Sequence, residues 1–175
     1  DLVCYGDPIA LSVSGVQEVY IDSFTASGKG SLTQEGPFDY TYTPAEDESG
    51  TIVFTLALSN TCGSKTISRE VLIQDAIDAS FDVSPGEIFT DTPVDFVPVD
   101  DSFDFYEWEF GDGNASALPS PVHEYSESGT YTVSLLVDKN GCTGEAQQTS
   151  RYLPTSCSLC PTLSIPRPSI LKTGW

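Results

Sequence analysis

A single histidine and five cysteines are the side chains of this 175-residue sequence with the most direct catalytic, redox or metal chemistry. His123 could act as a general base only beside a nucleophile or a carboxylate in a pocket. The sequence shows no such constellation around it. We therefore expect a chain without catalytic residues.

The cysteines could form disulfides or bind a metal. Cys4 lies near the start of the chain and Cys62 in a turn before a predicted strand, so both can lie at one end of a sandwich. A disulfide between them would close a long loop and stabilise the fold by about 3–4 kcal/mol; the alternative is two free thiols. Cys142 could pair with Cys157 or Cys160, which the sequence does not decide. The Cys157-x-x-Cys160 spacing lacks a second pair of ligands, so we expect no zinc site.

Carboxylates are the remaining candidates for chemistry. The sequence has 26 acidic and 7 basic residues, which gives a net charge of −19. This excess repels a phosphate backbone and excludes nucleic-acid binding. Acidic clusters occur at Glu46-Asp47-Glu48 and Asp100-Asp101-Ser102-Phe103-Asp104, and carboxylate oxygens on loops suit Ca²⁺. Neither cluster has the spacing of an EF-hand, so a solvated acidic face is the preferred interpretation and no cofactor is expected. If structural calcium binds, the first candidates are Asp100, Asp101, Asp104 and Asp112.

The elements that carry these residues are short alternating runs typical of β-strands. They are bounded by Gly, Pro, Asn, Asp or Ser, and no 12-residue window has an apolar helical face. The runs are residues 9–13, 16–21, 38–43, 51–58, 64–73, 79–83, 94–97, 103–110 and 130–137. No apolar run is long enough to cross a bilayer, so membrane insertion is not expected. The pattern predicts an all-β fold of sandwich type.

The strands fall into two blocks, residues 1–76 and 77–150. Block one carries 11 acidic and 3 basic residues, and block two 15 and 1. Both blocks end alike, from Gly50 to Ser64 and from Gly129 to Gly144: Gly-Thr, an alternating strand, a turn with asparagine and cysteine, and a final strand. We interpret this as a diverged internal repeat, and hence as two tandem immunoglobulin-like antiparallel β-sandwiches. Residues 151–175, with three bases and no acid, are predicted to be an irregular tail.

Block two contains three linked motifs that resemble the PKD domain, an immunoglobulin-like sandwich. They are W-x-F-G-D-G, H-x-Y and G-x-Y-x-V-x-L, and the residues concerned are Trp108, Phe110, Gly111, Asp112, Gly113, His123, Tyr125, Gly129, Tyr131, Val133 and Leu135. The resemblance implies that these residues are structural, and that His123 packs and hydrogen-bonds within its strand. It covers about 70 residues.

Block one resembles the Ig-like repeats of bacterial surface adhesins exported by the type IX secretion system, including gliding-motility adhesins. The resemblance is carried by residues 3–9, 42–45 and 59–64. It implies a secreted, cell-surface protein in which the chain is a non-catalytic stalk or ligand-presenting spacer. Its partners would be other repeats of the parent protein, surface glycans or proteins, or the secretion and motility machinery. In this context the tail is either non-native or a remnant of a sorting-domain linker.

The alternative is an accessory region of an extracellular hydrolase, a peptidase or a polysaccharide-degrading enzyme, because PKD domains also resemble the appendages of such enzymes. The catalytic domain would then lie outside this chain. A sugar-stacking platform could be formed by Tyr20, Phe24, Tyr40 and Tyr42, although alternating core positions are the preferred interpretation of these aromatics. Under either function, we expect the chain itself to catalyse no reaction.

Overall fold

A computed structural model describes residues 1–15, 19–84 and 88–154. The described residues form fifteen β-strands and no helix. The predicted tail is residues 151–175, but residues 151–153 belong to a strand instead. The rest of it from residue 155 onward, with Cys157 and Cys160, lies outside the described residues. The all-β prediction is confirmed.

The first sandwich contains strands β1 to β7. Their bounds are Leu2–Val3, Ile9–Ser12, Tyr20–Ala26, Ser31–Gln34, Asp39–Thr43, Gly50–Asn60 and Gly63–Ile73. One sheet has the order β1-β7-β6-β3 and the other the order β2-β5-β4. The two inner faces enclose a core centred on Tyr42, Phe54 and Ile73.

The second sandwich contains strands β8 to β15. Their bounds are Phe81–Ser84, Ile88–Phe89, Val94–Pro98, Phe105–Glu109, Ala115–Ser116, Val122–His123, Gly129–Lys139 and Cys142–Leu153. The sheets have the orders β12-β11-β14-β15-β9 and β13-β10-β8. Strand β15 continues past residue 150, and its Tyr152 is fully buried in the second core.

Alternation explains why these runs become strands with one buried face. In β10 the side chains of Val94, Phe96 and Pro98 point inward while the two between them face solvent. Trp108 and Tyr106 do the same on β11. Successive side chains of a strand point to opposite sides, so each alternating run supplies one face of a core.

The longest hairpin has the same form in both sandwiches. β6 pairs with β7 and β14 with β15, in each case over eleven residue pairs around a two-residue turn. In the second hairpin Asn140 and Gly141 have φ angles of 56° and 83°. Both central residues of a type I′ turn need a positive φ, which explains why Asn-Gly occupies this turn.

In each sandwich a two-residue strand, β1 or β9, pairs in parallel with the last strand. Val3 lies opposite Ile73 and Phe89 opposite Leu153. Residues that follow β1 therefore lie at the carboxyl end of β7, far from the β6–β7 turn. At about 3.3 Å per residue, the ten residues from Gly63 to Ile73 separate these two ends by roughly 33 Å.

We searched the described residues for a membrane-crossing helix. None of them forms a helix with the length and apolar character that such a crossing requires.

Candidate functional site

His123 and Asp112 form a hydrogen-bonded pair at one end of the second sandwich. The turn after β11 presents Asp112, whose Oδ2 lies 2.8 Å from His123 Nε2. The same carboxylate accepts hydrogen bonds from the backbone and side-chain nitrogens of Asn114, both at 3.0 Å. Burial raises the pKa of Asp112, but the bonds from Asn114 and His123 outweigh burial and hold it below its usual value.

The His123 ring is also held between aromatic side chains. It stacks on Phe110 with ring centroids 4.2 Å apart and meets Tyr125 edge-on at 4.6 Å. Tyr125 in turn donates a hydrogen bond of 2.8 Å to the carbonyl oxygen of Phe110. Burial, together with Tyr152, raises the pKa of Tyr125 well above its usual value, so this phenol stays protonated. The geometry is that of a packed structural cluster.

Two further motif residues, Trp108 in the core and Gly111 in the turn after β11, are fixed by their neighbours. Trp108 is fully buried, and its Nε1 donates to the carbonyl oxygen of Leu118 at 3.0 Å. Gly111 has a φ of 79°, and a Cβ there would lie 2.5 Å from the carbonyl oxygen of Thr132. A side chain is therefore excluded both by the backbone angle and by the neighbouring strand.

The candidate calcium ligands are already engaged at separate places. Asp100 accepts a hydrogen bond from the backbone of Ser102, while Asp104 accepts one of 2.8 Å from the backbone of Asn140. Asp112 lies beyond the opposite end of β11 from these two. No three His, Cys, Asp or Glu side chains of residues 1–15, 19–84 and 88–154 gather into a metal-binding group. The four predicted ligands, including Asp101, thus do not form one site.

Glu48 differs from the solvated acidic face that we predicted for its cluster. Its side chain is buried, and its carboxylate accepts bonds from the backbone nitrogens of Lys29 at 2.6 Å, Ala45 at 2.9 Å and Gly30 at 3.0 Å. The Tyr42 hydroxyl adds a bond of 2.8 Å. Burial raises the pKa of Glu48, but these four donors outweigh burial and lower it.

The aromatic side chains considered as a sugar platform do not share one surface. Tyr40 and Tyr42 are buried, and Phe24 packs edge-on against Tyr40 with centroids 4.6 Å apart. Tyr20 is exposed at 74%. Three of the four are thus core or core-flanking residues, as preferred from the sequence, and Tyr20 is not.

The predicted disulfide between Cys4 and Cys62 is wrong. Cys4 is bonded to Cys142, with the two Cα atoms 5.4 Å apart, and Cys62 is an exposed free thiol. The reason is the parallel pairing of β1 with β7, which places Cys4 at the opposite end of the first sandwich from the β6–β7 turn. Cys4 instead meets the β14–β15 turn of the second sandwich. The strand that decides the place of Cys4, β1, has only two residues, so the sequence offered no signal for its pairing.

Further contacts reinforce this junction between the sandwiches. Gln74 Nε2 donates to the carbonyl oxygen of Lys139 at 3.1 Å. Ile77 packs against the second core and lies so close to Gly144 that a Cβ there would overlap it. The first sandwich is therefore tied to the second by the Cys4–Cys142 bond, and the linker between them, residues 74–78, adds a hydrogen bond and apolar packing.

A cleft of about 390 Å³ opens beside this junction. Its lining includes apolar residues of both sandwiches, Leu2 and Phe103, together with the charged Asp78, Asp100 and Lys139. The Lys139 ammonium donates to the Ser102 hydroxyl at 2.6 Å and lies 5.9 Å from the centre of the Phe103 ring. Lys139 thus already contacts Ser102 and Phe103 of its own sandwich.

Comparison with known families identifies the second sandwich. Residues 81–152 match the family model described as the PKD domain. The second sandwich is a PKD domain. The predicted resemblance of block two is therefore confirmed, and the pair formed by Asp112 and His123 lies within the matched residues.

Two curated relatives match short stretches of the chain. A microbial collagenase of Vibrio alginolyticus is 46% identical over 43 residues, 24% of this chain and 5% of the collagenase. Collagenase ColA of Bacillus cereus is 56% identical over 32 residues, 18% of this chain and 3% of ColA. The chain thus corresponds to a small part of the length of either relative.

Two solved structures resemble about one module of the chain. The PKD1 domain of Vibrio anguillarum Epp is 28% identical with a TM-score of 0.36, covering 44% of this chain and 93% of that one. A structure described as carbohydrate-binding modules of the β-sandwich superfamily is 30% identical with a TM-score of 0.41. It covers 45% of this chain and 35% of the other.

Proposed function

We propose that this chain is a non-catalytic accessory region of an extracellular hydrolase, in which the two sandwiches act as a stiff spacer. The observation that carries the proposal is the local identity of the chain to two collagenases, at 46% and 56%. Each relative is far longer than the matched stretch, so the catalytic domain would lie elsewhere in the parent protein.

The geometry supports a spacer rather than a reaction site. The only histidine is held by Asp112, Phe110 and Tyr125 within the PKD domain. The junction joins the sandwiches through the Cys4–Cys142 bond. A disulfide of this kind forms and persists in oxidising surroundings, which favours a secreted location.

Reading the encoding gene beyond both ends of this chain tests the proposal. We expect a hydrolase catalytic domain in the same reading frame. The purified chain should show no turnover of collagen, gelatin or polysaccharide. A gene that encodes a long array of similar repeats with a type IX sorting domain, and no catalytic domain, would contradict the proposal that the parent protein is a hydrolase.

The second candidate function is that of a stalk in a bacterial surface adhesin. A gene with repeats, a sorting domain and no catalytic domain would support it. The observation that favours it is the inter-module disulfide, since covalent bonds between successive sandwiches suit a load-bearing array. Surface glycans, proteins and the secretion or motility machinery are its proposed partners. Sedimentation of the chain with insoluble collagen, chitin and cellulose would show whether it binds a substrate or only separates domains.

A further inference from the structure

The outer face of the sheet β1-β7-β6-β3 carries a grid of hydroxyl side chains on three neighbouring strands. Ile21 on β3 lies opposite the buried Leu58 on β6, so Tyr20 and its partner Ser59 point outward. A register shift between Ile21 and Ser23 keeps Ser23 on the same outer face. The pairing gives three rows across β3, β6 and β7: Tyr20, Ser59 and Ser64; Ser23, Ala57 and Thr66; and Thr25, Thr55 and Ser68. We call these nine residues the hydroxyl grid, because all but Ala57 bear a hydroxyl and none is charged.

Three carboxylates of the PKD domain have hydroxyls at the same positions of the first sandwich. Ala57 and Leu136 each stand seven residues after the glycine that begins the long strand, so the residues paired with them are equivalent. These residues, and those paired two positions earlier, correspond as Ser23 to Glu107, Thr66 to Glu145 and Thr25 to Glu109. The first sandwich therefore has an uncharged face where the PKD domain has an acidic one, in a chain with a net charge of −19.

Several hydroxyls of the grid keep their bonding capacity for a partner. The hydroxyls of Thr55 and Ser68 lie 3.3 Å apart and satisfy each other in part. Three other side chains make no hydrogen bond within the described residues, namely Ser23, Ser64 and Thr66. A hydroxyl donates one bond and accepts two, so the grid offers donors and acceptors side by side.

Two carboxylates lie at the border of the grid. Asp22, at the register shift of β3, accepts a hydrogen bond of 2.7 Å from the Ser59 hydroxyl. Glu70 lies beyond the last row, opposite Val53 on β6. The charges of this sheet therefore surround the hydroxyl grid and leave its centre neutral.

Tyr20 adds an aromatic ring to one end of the grid. Its side chain is exposed at 74%, in the row nearest the β6–β7 turn. Ser59 and Ser64 of the same row line a hollow of about 330 Å³ together with Asn60. An exposed tyrosine has an apolar face and a polar tip, which suits a ligand that has both kinds of surface.

We infer that the hydroxyl grid binds an extended chain of a neutral polysaccharide. Such a chain presents hydroxyls that match the donors and acceptors of the grid, and the apolar face of a sugar ring can pack on Tyr20. Binding there requires the desolvation of no charge at the centre of the face. An anionic polymer would instead be repelled by the net charge of −19.

The size of the grid favours a polysaccharide over a second copy of this chain. With strands about 4.8 Å apart and rows about 6.7 Å apart, its outermost Cα atoms span roughly 10 Å by 13 Å. A stable protein interface buries about 800 Å² on each partner, which is several times this area. The inference goes beyond the proposed spacer, because it gives the first sandwich a binding role in a hydrolase and in an adhesin alike.

Sedimentation of the 175-residue chain with insoluble cellulose, chitin and starch tests the inference. We expect the chain to bind at least one of these neutral polysaccharides. Ser23→Glu/Thr25→Glu introduces the carboxylates of the PKD face and should raise the dissociation constant about tenfold, because they lose hydration on binding. Ser31→Glu/Thr33→Glu makes the same two changes on the exposed edge strand β4 of the other sheet. This matched control should bind within about twofold of the wild type.

Absence of binding to all three polysaccharides would overturn the inference. Equal losses in the two double variants, or none in Ser23→Glu/Thr25→Glu, would also overturn it; thermal unfolding first checks that both variants are folded. Sedimentation velocity tests for a second copy on this face: a dimer that Ser23→Glu/Thr25→Glu dissociates, without polysaccharide binding, would replace the inference. The gene sequence decides the hydrolase separately, so the two proposals can fail independently.

Discussion

Glu48 is held by four hydrogen-bond donors in the first sandwich, three of them backbone N–H groups. A buried carboxylate with this many donors is a structural anchor, because its negative charge satisfies groups that would otherwise be buried without partners. Gly28 also belongs to this anchor, since a Cβ there would overlap the Tyr42 hydroxyl and the Glu48 carboxylate. The anchor joins the β3–β4 turn to the segment before β6.

Replacing Glu48 by glutamine should destabilise the first sandwich by about 2–3 kcal/mol, because the amide places a donor among donors. Chemical denaturation at neutral pH measures this loss. Glu46→Gln, on an exposed neighbour, is the matched control and should stay within about 0.5 kcal/mol of the wild type. Equal losses in both variants would contradict the anchor role of Glu48.

The lowered pKa values of Glu48 and Asp112 predict acid sensitivity. A carboxyl whose pKa is lowered by folding adds stability above its ordinary pKa, here 4.5 for Glu48 and 3.8 for Asp112, and loses it as pH falls through the lowered value. The free energy of unfolding should therefore decrease below about pH 4.5. Titrated denaturation of wild type and Glu48→Gln should show their difference shrinking toward low pH. A constant difference would exclude this linkage.

Tyr125 shows how one hydroxyl supports the aromatic cluster around His123. Its bond to the Phe110 carbonyl is buried, so Tyr125→Phe should cost about 1–2 kcal/mol. Tyr131→Phe removes an exposed hydroxyl that donates to the Glu127 carbonyl and should cost less than about 0.5 kcal/mol. Thermal unfolding compares the two variants, and a larger loss at Tyr131 would refute the assignment.

At the scale of elements, the turn after β11 depends on a glycine that contacts the next strand. Gly111→Ala should destabilise the PKD domain by about 2 kcal/mol or more, from the positive φ and the overlap with Thr132 together. Gly113 has a φ of 91° with open space around its Cβ position, so Gly113→Ala isolates the backbone cost of about 1 kcal/mol. Denaturation midpoints should rank wild type, Gly113→Ala and Gly111→Ala in that order.

The strands with strong alternation could be predicted from sequence, whereas the short pairing strands could not. β10, β11 and β14 lie within or around predicted runs because each carries a buried face of alternating side chains. β1 and β9 have only two residues each, so no period can reveal them. The error about Cys4 follows directly, since the parallel pairing of β1 decides which end of the sandwich this cysteine occupies.

At the scale of the whole molecule, the Cys4–Cys142 bond should govern how the sandwiches are oriented relative to each other. A Cys4→Ser/Cys142→Ser variant keeps both cores but relies on Gln74 and Ile77 for contact at the junction. Small-angle X-ray scattering should then show a larger radius of gyration and a broader distance distribution. Cys62→Ser in the same 175-residue chain is the control and should leave the profile unchanged. An unchanged profile in the double variant would show that the noncovalent contacts suffice.

The position of this bond also determines how a pulling force would travel through the chain. Cys4 lies close to Asp1, and the bond bypasses a sequence separation of 138 residues. Tension applied between the chain ends therefore runs through the two sulfur atoms and into β15, and most of both sandwiches carries none of it. At roughly 3.4 Å per extended residue, about 470 Å of chain is withheld from stretching until the bond is reduced. The bond thus carries the load in place of the chain between Cys4 and Cys142. How far this part of the chain extends under load depends on redox conditions rather than on the folding stability of either module.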